Sequence, residues 1–186
     1  MPGSVLPPDH RSPRELLGHY LRDVVYGAND GIITTFAVVA GVAGAQLSTR
    51  VVLILGFANL LADGFSMGAS NYLSIRSETA ARQAVGEEAR EKHPFRHGLA
   101  TFVAFLVAGV IPLAAYVFPR WGLDPFHAAV VLTALALFGV GASRAFVTRH
   151  PWWLSGLEML LVGGVAAAVA YGVGAFTAGI TGRPGH

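Results

Sequence analysis

Five long stretches of the chain contain almost no charge, and each is close to the length of a membrane-crossing helix. A helix needs about 20 apolar residues to cross roughly 30 Å of hydrocarbon. The stretches lie at residues 24–49, 51–75, 97–118, 125–146 and 152–180. Their many interior glycines and alanines do not fit the alternating pattern of a membrane-barrel strand. The sequence therefore predicts an all-α membrane protein with five transmembrane helices.

The composition agrees with a membrane protein and excludes several other classes. Only 13% of the residues are charged, about half the roughly 25% of a soluble domain. The absence of cysteine excludes disulfide scaffolds, thiolate zinc sites and a cysteine nucleophile. Neither charge sign forms a long run, so we expect no nucleic-acid partner. Lys92 is the single lysine, a bias that indicates a bacterial source and hence the plasma (inner) membrane.

The connections differ in basic residues, and this difference predicts the orientation. Ten of the 13 lysines and arginines fall on one side of the five spans and three on the other. This places the N-terminus in the cytoplasm and the C-terminus outside or in a lumen. We expect a mobile cytoplasmic tail over residues 1–22, a transporter domain over 23–182, and a short cytoplasmic connection over 76–96. The first span follows a polar tail and contains an acid, so we expect it to remain rather than be cleaved as a signal peptide.

Three carboxylates lie inside the apolar stretches, namely Asp30, Asp63 and Glu158. A buried charge in a bilayer is costly unless it faces a partner, water or an ion, so each is a candidate functional residue. The alternative is a structural role, in which the acid is protonated or bonds a neighbouring helix.

A polar stripe follows the second span, where Asn59, Asp63, Met67 and Asn71 recur every fourth residue. Ser66 and Ser70 fall on the same side. Amide, carboxylate and hydroxyl oxygens bind divalent cations, and an added thioether sulfur favours a transition metal. The alternative for Met67 is core packing.

The first span places Asp30 at a depth similar to that of Met67, counted from the same membrane face. Thr34 lies one turn beyond Asp30. The two helices could therefore hold one ion between them. Small residues four apart would allow close packing, either within a subunit or across a dimer. These pairs are Gly27 with Gly31, and Gly64 with Gly68.

The connection after the second span is rich in charge. Glu78 and Arg82 are spaced as an i,i+4 pair, which favours a solvated helical face. Glu87 and Glu91 share a face, and the alternative is that they gather metal ions at the mouth of a path.

Two segments carry a specific resemblance to a known family. They are DVVYGANDGIITT from Asp23 and GFSMGASNYLSIRSE from Gly64, supported by HPF at 93–95, GVIPL at 109–113 and GLEMLLVGG at 156–164. With these segments the chain resembles the vacuolar iron transporter family over about residues 20–180.

The resemblance implies a five-helix homodimer that moves Fe²⁺ or Mn²⁺ out of the cytosol in exchange for protons, for metal homeostasis and detoxification. Asp30 and Met67 match the family's metal-binding Asp and Met. Asn59 stands where vacuolar members have Glu, and Asp63 stands where they have a small residue. Vacuolar members also carry a long acidic cytosolic domain after the position of Glu78, where this chain has about twenty residues.

The expected protein is thus a secondary transporter and not an enzyme. Its partners would be lipid, protons, divalent metal ions and a second copy of itself, with Fe²⁺ or Mn²⁺ as substrate and no permanently bound cofactor. One alternative is a non-transporting membrane scaffold. Another is an intramembrane aspartyl hydrolase, which the sequence disfavours because Asp30 follows Gly-Ala-Asn and no Tyr-Asp pair occurs.

Overall fold

The computed structural model describes residues 13–88, 93–118, 124–146 and 151–182, and within them it contains only helices and their connections. The helices are α1 (Pro13–Gly44), α2 (Thr49–Ala84), α3 (Pro94–Val117), α4 (Pro125–Ser143) and α5 (Trp152–Thr181). A single 3₁₀ turn, Arg144–Phe146, follows α4. All five helices are long and apolar enough to cross a membrane. The predicted all-α architecture with five spans is confirmed.

The helix bounds differ most from the predicted limits at two places, the start of α1 and the end of α2. α1 begins at Pro13, inside the segment predicted as a tail, because proline suits the first turn of a helix. The remainder of that tail, residues 1–12, lies outside the described residues. α2 continues to Ala84, well into the predicted connection 76–96. Its 36 residues extend over roughly 54 Å, so its charged end projects beyond the hydrocarbon.

α3 is the helix with which α1 has its most extensive contact. A Cβ atom added at Gly27 would collide with the backbone carbonyl of Thr101, and one at Gly31 with that of Phe105. Both glycines therefore let the α1 backbone lie directly against the α3 backbone. The small-residue spacing of α1 serves packing within one subunit.

α2 packs on α3 through its own glycine pair. A Cβ at Gly64 would lie 3.0 Å from the Phe105 ring, and one at Gly68 would lie 2.8 Å from the Gly98 carbonyl oxygen. Together with Val52, Gly56 and Leu60 these glycines form the buried stripe of α2. Both glycine pairs therefore pack against α3, and α3 aligns α1 with α2.

The core is apolar and lies where α1 meets α3, α4 and the buried stripe of α2. Ile32, Phe105 and Leu113 are fully buried at its centre. α5 covers α1 from the other side, where its Gly174 approaches the backbone of Gly41. Most large apolar side chains of α5 stay exposed, as expected for a helix that faces lipid.

The exposed carboxylate of Asp124 caps the start of α4. It accepts hydrogen bonds from the backbone N–H groups of Phe126 at 3.1 Å and His127 at 3.2 Å, and lies 2.9 Å from His127 Nδ1. The hydrogen bonds from the His127 side chain and backbone hold the pKa of Asp124 below its usual value. This cap fixes the start of α4 after the short connection from α3.

Candidate functional site

Asp30 on α1 and Asp63 on α2 lie at the same depth in the helix bundle. Gly31, next to Asp30, contacts the backbone of Phe105, and Gly64, next to Asp63, contacts the ring of the same residue. The two helices are in contact, so the two carboxylates lie on neighbouring helices at this level. Two like charges in one membrane layer repel each other, and a cation or a proton between them relieves that repulsion.

Asn59 and Met67 flank Asp63 along α2, one turn away on either side. The Asn59 amide donates a weak hydrogen bond to Asp63 Oδ2 at 3.5 Å. Met67 is half-buried and packs against the core that contains Phe105. Met67 lies about one turn nearer the charged end of α2 than Asp63 does. Asp30 therefore matches the depth of Asp63 more closely than that of Met67, the residue that the sequence placed level with it. The structure thus brings a carboxylate, an amide and a thioether into one row.

The polar row of α2 is only partly covered by the other described helices. Asn59, Asp63 and Met67 are half-buried, and Ser66 and Ser70 on the same side are exposed. Hydroxyl and carboxylate groups that face hydrocarbon are unfavourable, so this side of α2 must face water or another protein surface.

Asn71 turns away from this row to a second polar cluster that sequence reasoning missed. Its amide donates to Asp23 Oδ1 at 2.9 Å and to Thr101 Oγ1 at 2.8 Å. Asp23 Oδ2 is in close contact with His97 Nδ1, and both residues are buried. The Tyr20 ring packs 4.7 Å from the His97 ring. This group, which we call the three-helix cluster, ties α1, α2 and α3 together near their charged ends.

One signal in the sequence pointed to that cluster. Asp23 and Asp30 are seven residues apart, so they lie on the same side of α1. Sequence alone places Asp23 at the charged edge of the first span, because its partner His97 is distant in sequence and opens an apolar stretch of its own.

Three further polar side chains of α1 differ in their hydrogen-bond partners. The Thr34 hydroxyl donates to the Asp30 backbone carbonyl at 2.8 Å and so bonds within its own helix. The buried Asn29 Oδ1 and Thr35 Oγ1 atoms have no hydrogen-bond partner among the described residues. The unsatisfied oxygen of Asn29 lies on the residue next to Asp30, whereas Thr35 is fully buried where α1 meets Gly109 of α3. A buried oxygen without a partner is unfavourable, so water or an ion at Asn29 would stabilise it.

The remaining candidate acids lie at the edges of the bundle. Glu158 is exposed and lies 3.6 Å from Arg144. Glu78 and Glu87 are also exposed, and both pair with Arg82, at 3.2 Å and 2.9 Å. Glu91 lies outside the described residues. The structure therefore places Asp30, Asn59 and Met67 within about one helical turn of the level of Asp63. Glu158, Glu78 and Glu87 pair with arginines elsewhere.

No group of three or more His, Asp or Glu side chains forms a metal cage within the described ranges. The geometry is that of a membrane bundle with two carboxylates at one level of adjacent helices and with neutral donors along α2. Such an arrangement defines a multi-pass membrane protein with an intramembrane polar site.

Comparison with known proteins identifies the family. The sequence profile of the VIT family matches residues 21–92 and 79–175. A vacuolar iron transporter of Toxoplasma gondii is 32% identical, with 83% of this chain and 73% of that protein aligned. Vacuolar iron transporter homolog 3 of Arabidopsis thaliana is 30% identical, with 82% and 80% aligned. This chain belongs to the VIT family.

The alignments with these relatives also differ in length. Those with the Toxoplasma protein and with vacuolar iron transporter 1 of Eucalyptus grandis extend over 222 and 221 positions, more than the 186 residues of this chain. These relatives therefore contain residues that have no counterpart here. The Arabidopsis alignment covers a similar share of this chain in only 161 positions. The two matched segments of the family profile meet at residues 79–92, in the same connection.

Proposed function

We propose that this protein carries divalent iron or manganese out of the cytosol across the membrane in which it resides. The observation that carries the proposal is the placement of Asp30 and Asp63 at one depth on adjacent helices, with Asn59 and Met67 beside them. Relatives named as vacuolar iron transporters support the substrate class. On composition, the membrane is the bacterial plasma membrane.

The donor set suits a transported ion rather than a resident one. Two carboxylates supply the charge that a divalent cation needs, and the amide oxygen and thioether are weaker ligands. A path must bind its ion strongly enough to admit it and weakly enough to release it. Asn71 takes no part in this set, because its amide is engaged with Asp23 and Thr101.

Proton exchange follows from the charges of the same two residues. When a divalent ion leaves, two negative charges remain close together in a low-dielectric layer. Protonation of one or both carboxylates removes that repulsion and allows the empty site to reorient. We therefore propose that Asp30 and Asp63 alternate between metal and protons.

The exposed polar row of α2 supports a homodimer. A second copy related by two-fold symmetry would cover Ser66 and Ser70 with the same surface of its own α2. The two polar rows would then enclose a path between the subunits. In this arrangement the exit of the metal ion follows the dimer axis.

The short connection after α2 gives this protein little capacity to gather metal in the cytosol. Glu78 and Glu87 already pair with Arg82, as expected for a solvated helix end. We propose that ions reach Asp30 directly from solution, without a cytosolic collecting domain.

The test is metal flux in proteoliposomes that contain the full chain. Uptake of Fe²⁺, Mn²⁺, Zn²⁺ and Ca²⁺ is followed with an internal metal dye, and internal pH is followed in parallel. We expect transport of Fe²⁺ or Mn²⁺ with opposing proton movement, and little transport of Ca²⁺. Absence of flux for every metal, in protein that elutes as a folded species, would contradict the proposal and favour the scaffold.

A further inference from the structure

An apolar groove runs between the charged ends of α1 and α3, away from the metal site. Its volume is about 670 Å³. Tyr20 and Val24 of α1 form one wall, and the other consists of a single side of α3, with Arg96, Leu99, Ala100, Val103, Ala104 and Val107. Apart from Arg96 and the Tyr20 hydroxyl, every lining side chain is a hydrocarbon.

The dimensions of the groove match one leaflet of a bilayer. The α3 wall extends from Arg96 to Val107, which is roughly 17 Å along the helix. Half of the hydrocarbon thickness is about 15 Å. Leu99, Val103 and Val107 are each about half exposed or more, so the groove opens towards lipid.

The charged end of the groove is where a lipid headgroup would lie. Arg96 stands at the start of α3, and within the described residues its guanidinium has no hydrogen bond, ion pair or aromatic partner. Tyr20 borders the same end, at the depth where tyrosine is enriched in membrane proteins. An arginine fork binds a phosphate group with two parallel hydrogen bonds.

The groove lies on a different side of α3 from α2. Gly98 and Phe102 of α3 contact Gly68 of α2, whereas Ala100 and Val103 line the groove. A second copy that approaches through the polar row of α2 would therefore leave the groove open to lipid.

We propose that this groove binds one anionic phospholipid, with its phosphate at Arg96 and an acyl chain along α3 as far as Val107. The lipid would also contact Tyr20, whose ring packs on His97 of the three-helix cluster. Bound lipid therefore supports the contact between α1 and α3. This site is independent of the proposed metal path.

Native mass spectrometry of the full chain in detergent tests the proposal. The probes are phosphatidylglycerol and phosphatidylcholine with identical acyl chains. We expect about fivefold tighter binding of phosphatidylglycerol, the ratio for one basic side chain near an anionic headgroup. Arg96→Gln should reduce this ratio to about one. The matched control is Arg50→Gln, which removes an exposed arginine at the other membrane face and should leave the ratio unchanged.

A second pair of variants tests the apolar wall. Ala100→Phe fills the groove without changing charge and should remove the bound lipid, whereas Ala168→Phe on an exposed side of α5 should not. An unchanged lipid ratio in Arg96→Gln, or an equal loss in Arg50→Gln, would overturn the proposal. A change of oligomeric state in Ala100→Phe with lipid binding intact would assign the groove to a protein contact and would overturn it as well. If inorganic phosphate displaced the bound lipid completely, the site would be a phosphate site without a lipid chain, and the proposal would be overturned.

Discussion

Asp23 of α1 and His97 of α3 form a buried contact between carboxylate and imidazole, although 74 positions separate them in the chain. Asn71 of α2 binds the other oxygen of the same carboxylate. One side chain therefore joins three helices at the level where they leave the membrane. Asp30, the carboxylate of the proposed metal site, lies two turns further along α1, so this anchor helps to set the orientation of α1 at Asp30.

The first prediction concerns the stability of this anchor. His97→Ala removes a partner of the buried Asp23 and should lower the free energy of unfolding by about 1–3 kcal/mol, because a buried polar group is left incompletely bonded. Unfolding in detergent, followed by circular dichroism, measures the effect. Asp23→Asn, His97→Gln and their combination complete a double-mutant cycle. Additive effects of the two substitutions would contradict an energetic link between these residues.

The second prediction concerns Asp30. Asp30→Asn keeps the size of the side chain and removes its negative charge, so the folded protein should persist while Fe²⁺ and Mn²⁺ flux falls by at least about tenfold, as expected when a charged ligand to a cation is lost. Flux in proteoliposomes and a size-exclusion profile are measured together. Glu158→Gln is the matched control, because Glu158 is exposed and lies beside Arg144 outside the site. Flux at the wild-type rate in Asp30→Asn would leave the scaffold as the better explanation.

The third prediction separates the role of the Met67 sulfur from its packing. Met67→Leu keeps an apolar side chain of similar volume, so stability should change by less than about 1.5 kcal/mol. Loss of the thioether should weaken transport of Fe²⁺ and Mn²⁺ relative to any leak of Mg²⁺, which prefers oxygen ligands. The ratio of the fluxes is the measurement. An unchanged ratio would mean that Met67 only fills space at the edge of the apolar core.

The fourth prediction concerns the orientation of the chain in the membrane. The protein contains no cysteine, so single cysteines can be introduced without background. Gln83→Cys at the end of α2 should react with an impermeant maleimide from the cytoplasmic side. Ser48→Cys, between α1 and α2, should react from the opposite side, and both positions are exposed. Labelling of both from one side would be incompatible with α2 as a spanning helix.

The fifth prediction concerns the pH dependence of the Asp124 cap. Because its folded-state pKa is depressed, the carboxylate contributes stability above its ordinary pKa of 3.8, and this contribution is lost as the pH falls through the lower folded-state pKa. Asp124→Ala should therefore lower the thermal midpoint at pH 7 and have a smaller effect below pH 3.8. Asp124→Asn retains a capping oxygen, so it should lower the thermal midpoint less than Asp124→Ala does. If Asp124→Ala lowered the thermal midpoint equally at all pH values, this account would be contradicted.

The sequence by itself determined the architecture and the identity of the candidate ligands. Spanning backbone must close its own hydrogen bonds, so five uncharged stretches of sufficient length leave helices as the solution. Helical periodicity also places Asn59, Asp63 and Met67 in one row, since side chains four residues apart share a face. These are local properties of each segment, and the structure reproduces them.

The tertiary structure decided which helices pack together and which polar groups form hydrogen bonds between them. Spacing could not tell that both glycine pairs pack on α3, because close approach depends on the shape of the partner. Periodicity also assigns Asn71 to the polar row of α2, and spacing alone could not show that its amide bonds elsewhere. The amide turns to Asp23 and Thr101 because a buried carboxylate from another helix lies within hydrogen-bond distance. That choice depends on contacts between residues far apart in the chain, which only the packed helices define.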